Sequence, residues 1–289
     1  MLDLIKKTSP KLKKPKIGLA LGSGGAKGLA HIGVIKVLEE NHIPIDFIAG
    51  SSIGAMIGGF YAATKDIKRV EEIALSNNWH QMLYLIDPSF RQGFIGGNKL
   101  KKFIGNNVNK INFEDCKIPL SVIATDIKTG DIIIIDKGEI ELAIRASISL
   151  PLVFKPIELD DKLLADGGLA MPVPAEVVRK MGADIVIAVN LNSIYFINNH
   201  DRKLGFYKIA TNSINLMLYR LATLNILDAD LVINPDVGNV HVAKFLNGKD
   251  IIIAGEEAAK EALPQLKKII NIKESITKSE KYKVLTIHG

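Results

Sequence analysis

The sequence predicts an α/β fold, a mainly parallel sheet with helices on its faces. Two strand–turn–helix units in succession carry that prediction: Lys16–Gly22 (KIGLALG), Ser23–Gly28 and Leu29–Asn41 (LAHIGVIKVLEEN), then Pro44–Gly50 (PIDFIAG), a tight turn and Ile53–Lys65. Short, fully apolar runs such as Asp184–Asn190 (DIVIAVN) point the same way, because strands buried on both faces lose the in–out alternation of a half-exposed sheet. No internal repeat and no linker-like stretch divides the 289 residues. One catalytic domain is therefore expected over 16–270, between a basic lead at 1–15 and a basic tail at 271–289.

Beyond the second helix the pattern loosens. Asn77–Asn107 mixes helical pieces with loops and holds Trp79, Met82, Tyr84, Phe90 and Phe94, a composition suited to a lid or acyl-channel lining and equally to plain core. Strands resume at Leu120–Asp126 and Asp131–Asp136, the latter with four isoleucines in a row. Glu139–Ser149 reads as a helix ended by Pro151, and Lys162–Ala165 as a brief strand running into Asp166-Gly167-Gly168. A helix over Pro174–Met181 precedes the Asp184–Asn190 strand. A long helix over about Gly205–Asn225, a strand at Ala229–Asn234 and a helix over about Gly255–Ile269 complete the order.

Composition narrows the function classes. Cys116 is the sole cysteine, so no intramolecular disulfide and no ordinary cysteine-based zinc site can form, which suits a reducing compartment. Lysines and two prolines interrupt the first sixteen residues, and no run reaches the ~18 apolar residues of a membrane span. The expectation is a cytoplasmic protein that lies at most peripherally on the inner membrane face. Net charge is +6, with lysines gathered at both ends (Lys6, Lys7, Lys11, Lys13, Lys14, Lys16; Lys267, Lys268, Lys273, Lys278, Lys281, Lys283). Anionic lipid and nucleic acid both attract such clusters, and flexible solvated tails would carry the same lysines with no partner. Neither a helix-turn-helix nor an RNA-binding aromatic pattern is present, so no nucleic acid is expected.

Three short motifs carry chemistry. Gly50-Ser51-Ser52-Ile53-Gly54 is a G-x-S-x-G pentapeptide between a strand and a helix. In that context the serine sits on a strained turn, its hydroxyl exposed at the carboxyl end of the sheet and favoured by the helix N-terminus beneath it. Gly22-Ser23-Gly24-Gly25-Ala26-Lys27-Gly28 occupies the preceding strand-to-helix turn. It misses the dinucleotide fingerprint by position and the P-loop by the Gly28 that follows Lys27. Its consecutive glycines would let backbone N–H groups converge on an oxyanion or cradle a phosphate, and the loop alone does not decide between them. The neighbouring serine turn favours the oxyanion. Lys27 either holds the loop, meets a substrate phosphate or is simply solvated. The third motif, Asp166-Gly167-Gly168, would by itself be an ordinary turn.

In this order and spacing the motifs resemble those of bacterial patatin-like phospholipases. The likeness spans roughly Ile17 to Asn190 and includes Ala146-Ser147 with Pro151, Phe154 and Pro156, and the Pro174–Asn190 helix and strand. It implies a three-layer α/β/α fold and a Ser–Asp dyad without histidine. Ser52 would be the nucleophile, Asp166 the base, and the Gly24, Gly25 and Ala26 amides the oxyanion donors. Gly22, Lys27, Gly28, Gly50, Gly54, Gly167 and Gly168 would support them, and neither metal nor cofactor is implied. Ser23 departs from the family by standing where many members carry the first of three glycines.

Histidine is the internal competitor, since an ordinary α/β-hydrolase runs Ser, Asp, His and His200, His241 and His288 all follow Asp166. His31 lies just past the glycine loop, whereas His42 and His80 have no supporting context. The expected function is a serine acyl-ester hydrolase of the phospholipase or lysophospholipase type, working through an acyl-enzyme. The alternatives are a thioesterase or short-chain esterase with the same site, and a regulatory domain whose glycine loop binds a phosphate or nucleotide.

Overall fold

Ile17–Leu21 forms β1, and all five of its residues are buried, as a strand covered on both faces requires. The computed structural model that contains it describes residues 14–76, 98–108, 110–151, 153–193, 205–237 and 248–286. β1 lies between two parallel neighbours, β2 (Phe47–Ser51) and β7 (Ile185–Val189). Outward from β7 comes β8 (Leu231–Ile233), and outward from β2 comes β3 (Leu120–Asp126), both parallel to their neighbours. β4 (Ile132–Ile135), β5 (Ile157–Leu159) and β6 (Lys162–Asp166) complete the sheet with antiparallel pairings. The order is β5-β6-β3-β2-β1-β7-β8, with β4 also on β3.

The register sorts side chains by size. Leu19 stands level with Ile48 and Ile187, while the next row, Ala20 with Ala49 and Ala188, faces the other way. The large row meets α1 (Ala30–Glu40), α2 (Ile53–Thr64), α3 (Ile67–Ala74), α4 (Asn98–Asn107) and α5 (Ile140–Ser147) in the main core. The alanine row meets α6 (Ala175–Lys180) and the last turn of α7 (Phe206–Asn225), through Val177, Val178 and Ala222. Small residues on this face let α6 lie close. A methyl group at Gly18 would stand 2.1 Å from Val178 Cγ1. The result is the mainly parallel, three-layer α/β/α architecture that the resemblance implies.

The strands and helices fall within a few residues of their expected places, with three differences. α3 is an added helix, capped by the Asp66 carboxylate, which accepts the Arg69 N–H at 3.0 Å. β5 was not foreseen. α8 (Gly248–Thr286) is a single helix of 39 residues where a helix over about 255–269 was expected, and it runs on through Pro264. Most of Asn77–Asn107, including the aromatic residues between 79 and 94, lies outside the described residues, as does the basic lead up to Lys13.

Gly255 is an interior residue of α8, not its start. α8 and α1 touch backbone to backbone: a Cβ at Gly255 would lie 2.0 Å from the Ala30 carbonyl oxygen, and one at Gly33 2.0 Å from that of Ile252. Lys36 of α1 ties this junction through Glu256 of α8 at 2.8 Å and reaches α3 through Glu71 at 3.1 Å. Backbone cannot yield as a side-chain tip can, so Gly33→Ala and Gly255→Ala should each destabilise the fold by about 2–3 kcal/mol, at the upper end for overpacked positions. Gly205→Ala, where a methyl group meets nothing within 4 Å, should be neutral within about 0.5 kcal/mol. Urea unfolding of the three variants checks this.

Candidate active site

Ser52 joins the end of β2 to the start of α2 at φ 55°, ψ −123°. A positive φ at a non-glycine residue costs of order 1–3 kcal/mol and persists only where its surroundings enforce it. Here the Ser52 N–H donates to Ser147 Oγ at 2.8 Å, anchoring the turn to the end of α5. The two glycines of the pentapeptide are steric necessities. A Cβ at Gly50 would come within 2.5 Å of Ala55 Cα, and one at Gly54 within 2.1 Å of the Leu21 carbonyl oxygen. Ser51, one residue earlier, is fully buried, and its hydroxyl lies where a methyl group on Gly167 would touch it at 2.9 Å.

Asp166 arrives from the opposite direction. β2 pairs with Leu120–Ile123 of β3, β4 with Val122–Thr125, and β6 with Ala124–Asp126. Because β4 overlaps both of the others on β3, it takes one edge alone, and β2 and β6 share the second. Ser51 is level with Ile123 and Asp166 with Ala124, the next residue along. The two strands therefore end head to head, and Ser52 Oγ donates to Asp166 Oδ2 at 2.5 Å.

The rest of Asp166 is held on every side. Its N–H donates to the Ser149 carbonyl at 3.0 Å, and its carbonyl accepts from Thr125 Oγ1 at 2.9 Å. Oδ1 accepts the Gly168 N–H at 2.8 Å, leaving Oδ2 for the serine. A Cβ at Gly167 would stand 2.2 Å from the Ile123 carbonyl oxygen, so this turn also depends on glycine. Only 4% of Asp166 is exposed. Burial pushes its carboxyl pKa up to about 6, against the smaller opposing effects of the Ser52 and Gly168 hydrogen bonds.

The glycine loop closes over the same end of the sheet as a 3-10 turn, Gly25–Leu29, with Lys27 N–H donating to the Gly24 carbonyl at 3.2 Å. Among the described residues no carbonyl accepts from the N–H groups of Gly24, Gly25 or Ala26. The loop is packed on the serine turn: a Cβ at Gly28 would strike Ile53, and Gly54 leaves no room beneath Leu21 and Gly22. Within Gly22–Gly28 only Gly25, at φ +56°, has a left-handed backbone, so a serine at position 23 carries no conformational strain. Ser23 is buried, its N–H donates to the Pro172 carbonyl at 2.8 Å, and Asn192 Nδ2 donates to its carbonyl at 2.9 Å and to its hydroxyl at 3.2 Å. Lys27 is partly buried, which lowers its ammonium pKa.

His31 serves this loop and not the serine. Its Nε2 donates to the Gly22 carbonyl at 2.8 Å from full burial, and burial lowers its pKa to about 4. His42 is exposed at the end of α1, while His80, His200, His241 and His288 lie outside the described residues. Thr125, Ser149 and Asn192 were not foreseen. Each acts through a backbone atom or on one, and such contacts leave no motif in a sequence. Ser147 does stand in a stretch that the sequence marked, without its role being legible. Among the described residues no group of acidic, histidine or cysteine side chains could hold a metal ion.

A family model, "Patatin-like phospholipase", matches residues 19–179, more than half of the chain and all three motifs. The chain belongs to the patatin-like phospholipase family. An uncharacterized NTE family protein of Mycobacterium tuberculosis is 41% identical over 179 residues, which are 62% of this chain and 49% of that one. A lysophospholipase of Yarrowia lipolytica is 35% identical over 184 residues, covering 62% and 13% respectively. The chain thus spans about half the length of the mycobacterial relative and far less of the yeast one. VipD from Legionella pneumophila shares the fold, with a TM-score of 0.52 over 88% of this chain and 67% of that one at 14% identity.

A buried carboxylate with a raised pKa weakens the fold when it ionises. That destabilisation is absent below the ordinary value of 3.8, grows as pH rises from there, and is complete once pH has passed about 6. Asp166→Asn keeps the acceptor for Gly168 and offers an amide to Ser52, so it should stabilise the protein at pH 8 by about 3 kcal/mol, the difference vanishing below pH 4. Urea unfolding of both proteins across that range tests it.

Proposed function

We propose that this chain is a serine hydrolase of lipid acyl esters, phospholipids or lysophospholipids, working through an acyl-enzyme on Ser52. The observation that carries the reading is the 2.5 Å contact between Ser52 Oγ, on a left-handed turn, and Asp166 Oδ2, whose sister oxygen Oδ1 is held by the Gly168 N–H. Ser52 Oγ attacks the acyl carbonyl carbon while its proton passes to Asp166 Oδ2. The carbonyl oxygen becomes an oxyanion and accepts from the N–H groups of Gly24, Gly25 and Ala26, each such donor contributing ~3 kcal/mol to the transition state. Collapse breaks the ester bond, and the departing alkoxide takes the proton from Asp166. Water then repeats the sequence: Asp166 receives its proton, the hydroxide oxygen attacks the acyl carbon, and collapse returns the proton to Ser52 Oγ with release of the fatty acid.

The raised pKa of Asp166 supports this role. A carboxyl of ordinary pKa is a weak base toward a hydroxyl; one near 6 is stronger and still ionised at neutral pH. A phosphate-binding regulatory role fits less well, because Asp166 puts negative charge beside the glycine loop. A thioesterase or short-chain esterase would use the same groups. The lysophospholipase name of the yeast relative favours the lipid ester. We place the protein in the cytoplasm, in peripheral contact with anionic lipid through its lysine-rich ends.

A fluorophosphonate should label Ser52 stoichiometrically and alone, as read by peptide mass spectrometry. Labelling at Ser51, or none in the folded protein, would remove the assignment. The logarithm of kcat/KM for a soluble ester should fall with unit slope below a single apparent pKa of about 6, since the base must be ionised. A rate independent of pH between 5 and 8 would contradict Asp166 as the base.

A further inference from the structure

α7 has apolar side chains on both of its sides. One side holds Ala222, buried in the core beneath the sheet, and the partly buried Ile214, Leu218 and Leu221. At ~100° per residue, Ile209, Leu216, Met217 and Leu224 fall within an arc of about 100° on the other side, and Leu227 follows in the next turn. These five side chains are between 40% and 77% exposed. A surface helix ordinarily turns charged residues outward, so a stripe of this size marks a contact surface.

The charge pattern says what covers it. From Phe206 to Asn225 the sequence contains no Asp or Glu, and its charged residues are Lys208 and Arg220. Arg220 lies within the apolar arc, its guanidinium 5.9 Å from the centre of the Tyr219 ring. A long cationic side chain amid apolar ones suits a lipid interface, where the stem stays in the acyl region and the head reaches a phosphate. Self-association fits poorly, because a twofold contact would set Arg220 against Arg220 with no carboxylate on the helix to offset them and only Asp228, beyond its end, at the rim. Location agrees. α7 packs against the Gly167–Leu169 turn beside Asp166, and its Asn225 Oδ1 accepts the Val173 N–H at 3.4 Å.

We infer that the outer face of α7, Ile209, Leu216, Met217, Leu224 and Leu227 around Arg220, is the surface by which this protein docks on an anionic lipid layer. The helix is about 30 Å long and would lie in the interface plane, bringing the layer next to the serine site. This inference rests on the lipid-ester reading for its purpose, and the test separates the two.

The whole chain and its Leu216→Glu/Met217→Glu variant are co-sedimented with phosphatidylcholine vesicles, with and without phosphatidylglycerol. Both are also assayed on a soluble short-chain nitrophenyl ester. The double variant should lose affinity for the anionic vesicles by about tenfold or more while hydrolysis of the soluble ester stays within about twofold. Arg220→Gln should weaken binding only where phosphatidylglycerol is present. A fluorophore on Met217→Cys, in a Cys116→Ser background, should shift to the blue with vesicles. If vesicle binding falls as expected but neither protein hydrolyses the ester, the docking surface stands and the hydrolase reading fails. Vesicle binding unchanged in the double variant overturns the inference. So does a wild-type dimer that the variant converts to monomer without loss of vesicle binding, which would give the face to a second copy of this chain.

Discussion

Two strands that end head to head along one edge of β3 are the constraint on which the rest of this site depends. β2 delivers Ser52 from one side and β6 delivers Asp166 from the other, and the pairings Ser51 with Ile123 and Asp166 with Ala124 leave them one residue apart in register. Because side chains alternate across a sheet, a slip of one residue on either strand would turn the serine or the carboxylate to the wrong face. The antiparallel entry of β6 into a mainly parallel sheet is what allows this meeting. A parallel strand in that place would meet the tip of β2 with its amino end and carry its carboxyl end away from Ser52.

One short segment holds both Ser52 and Asp166. Ser147 accepts the Ser52 N–H, and Ser149 accepts the Asp166 N–H through its carbonyl. Arg145, buried and stacked 5.2 Å from the Phe154 ring, fixes that segment by donating to Ser149 Oγ at 2.5 Å and to the Lys155 carbonyl at 3.2 Å. These contacts oppose two local costs, the left-handed backbone at Ser52 and the desolvated charge on Asp166. Such costs gather where function needs a particular geometry. His31 belongs to the same support. It steadies Gly22 at the root of the glycine loop, and with a pKa lowered to about 4 it stays neutral near pH 7.

What the sequence made legible follows from the physics of each part. The strand–turn–helix units, Ser52, Asp166 and the glycine loop could be read because each pairs a residue type with a local backbone need, as Gly50 and Gly54 do at the serine turn. Ser23 in place of a glycine is explained by its ordinary backbone and by Asn192, a partner 169 positions away that no local reading finds. Gly255 was misread as a helix start for a related reason. Its need for glycine comes from the Ala30 carbonyl on another helix, not from its own turn. α8 also extends past Ile269 through a lysine-rich stretch whose polar composition hides helical periodicity. β5 has three residues with an exposed one at its centre, too short for its alternation to stand out.

The central claim is that Asp166, and no histidine, takes the proton from Ser52. The most direct test is ester turnover by Asp166→Asn beside His200→Ala, His241→Ala and His288→Ala, each first shown to be folded. A dyad predicts that the aspartate variant loses activity by about a thousandfold or more while each histidine variant keeps most of it. A loss of that size in any one histidine variant would mean that a triad operates and would contradict the reading of this site at its centre.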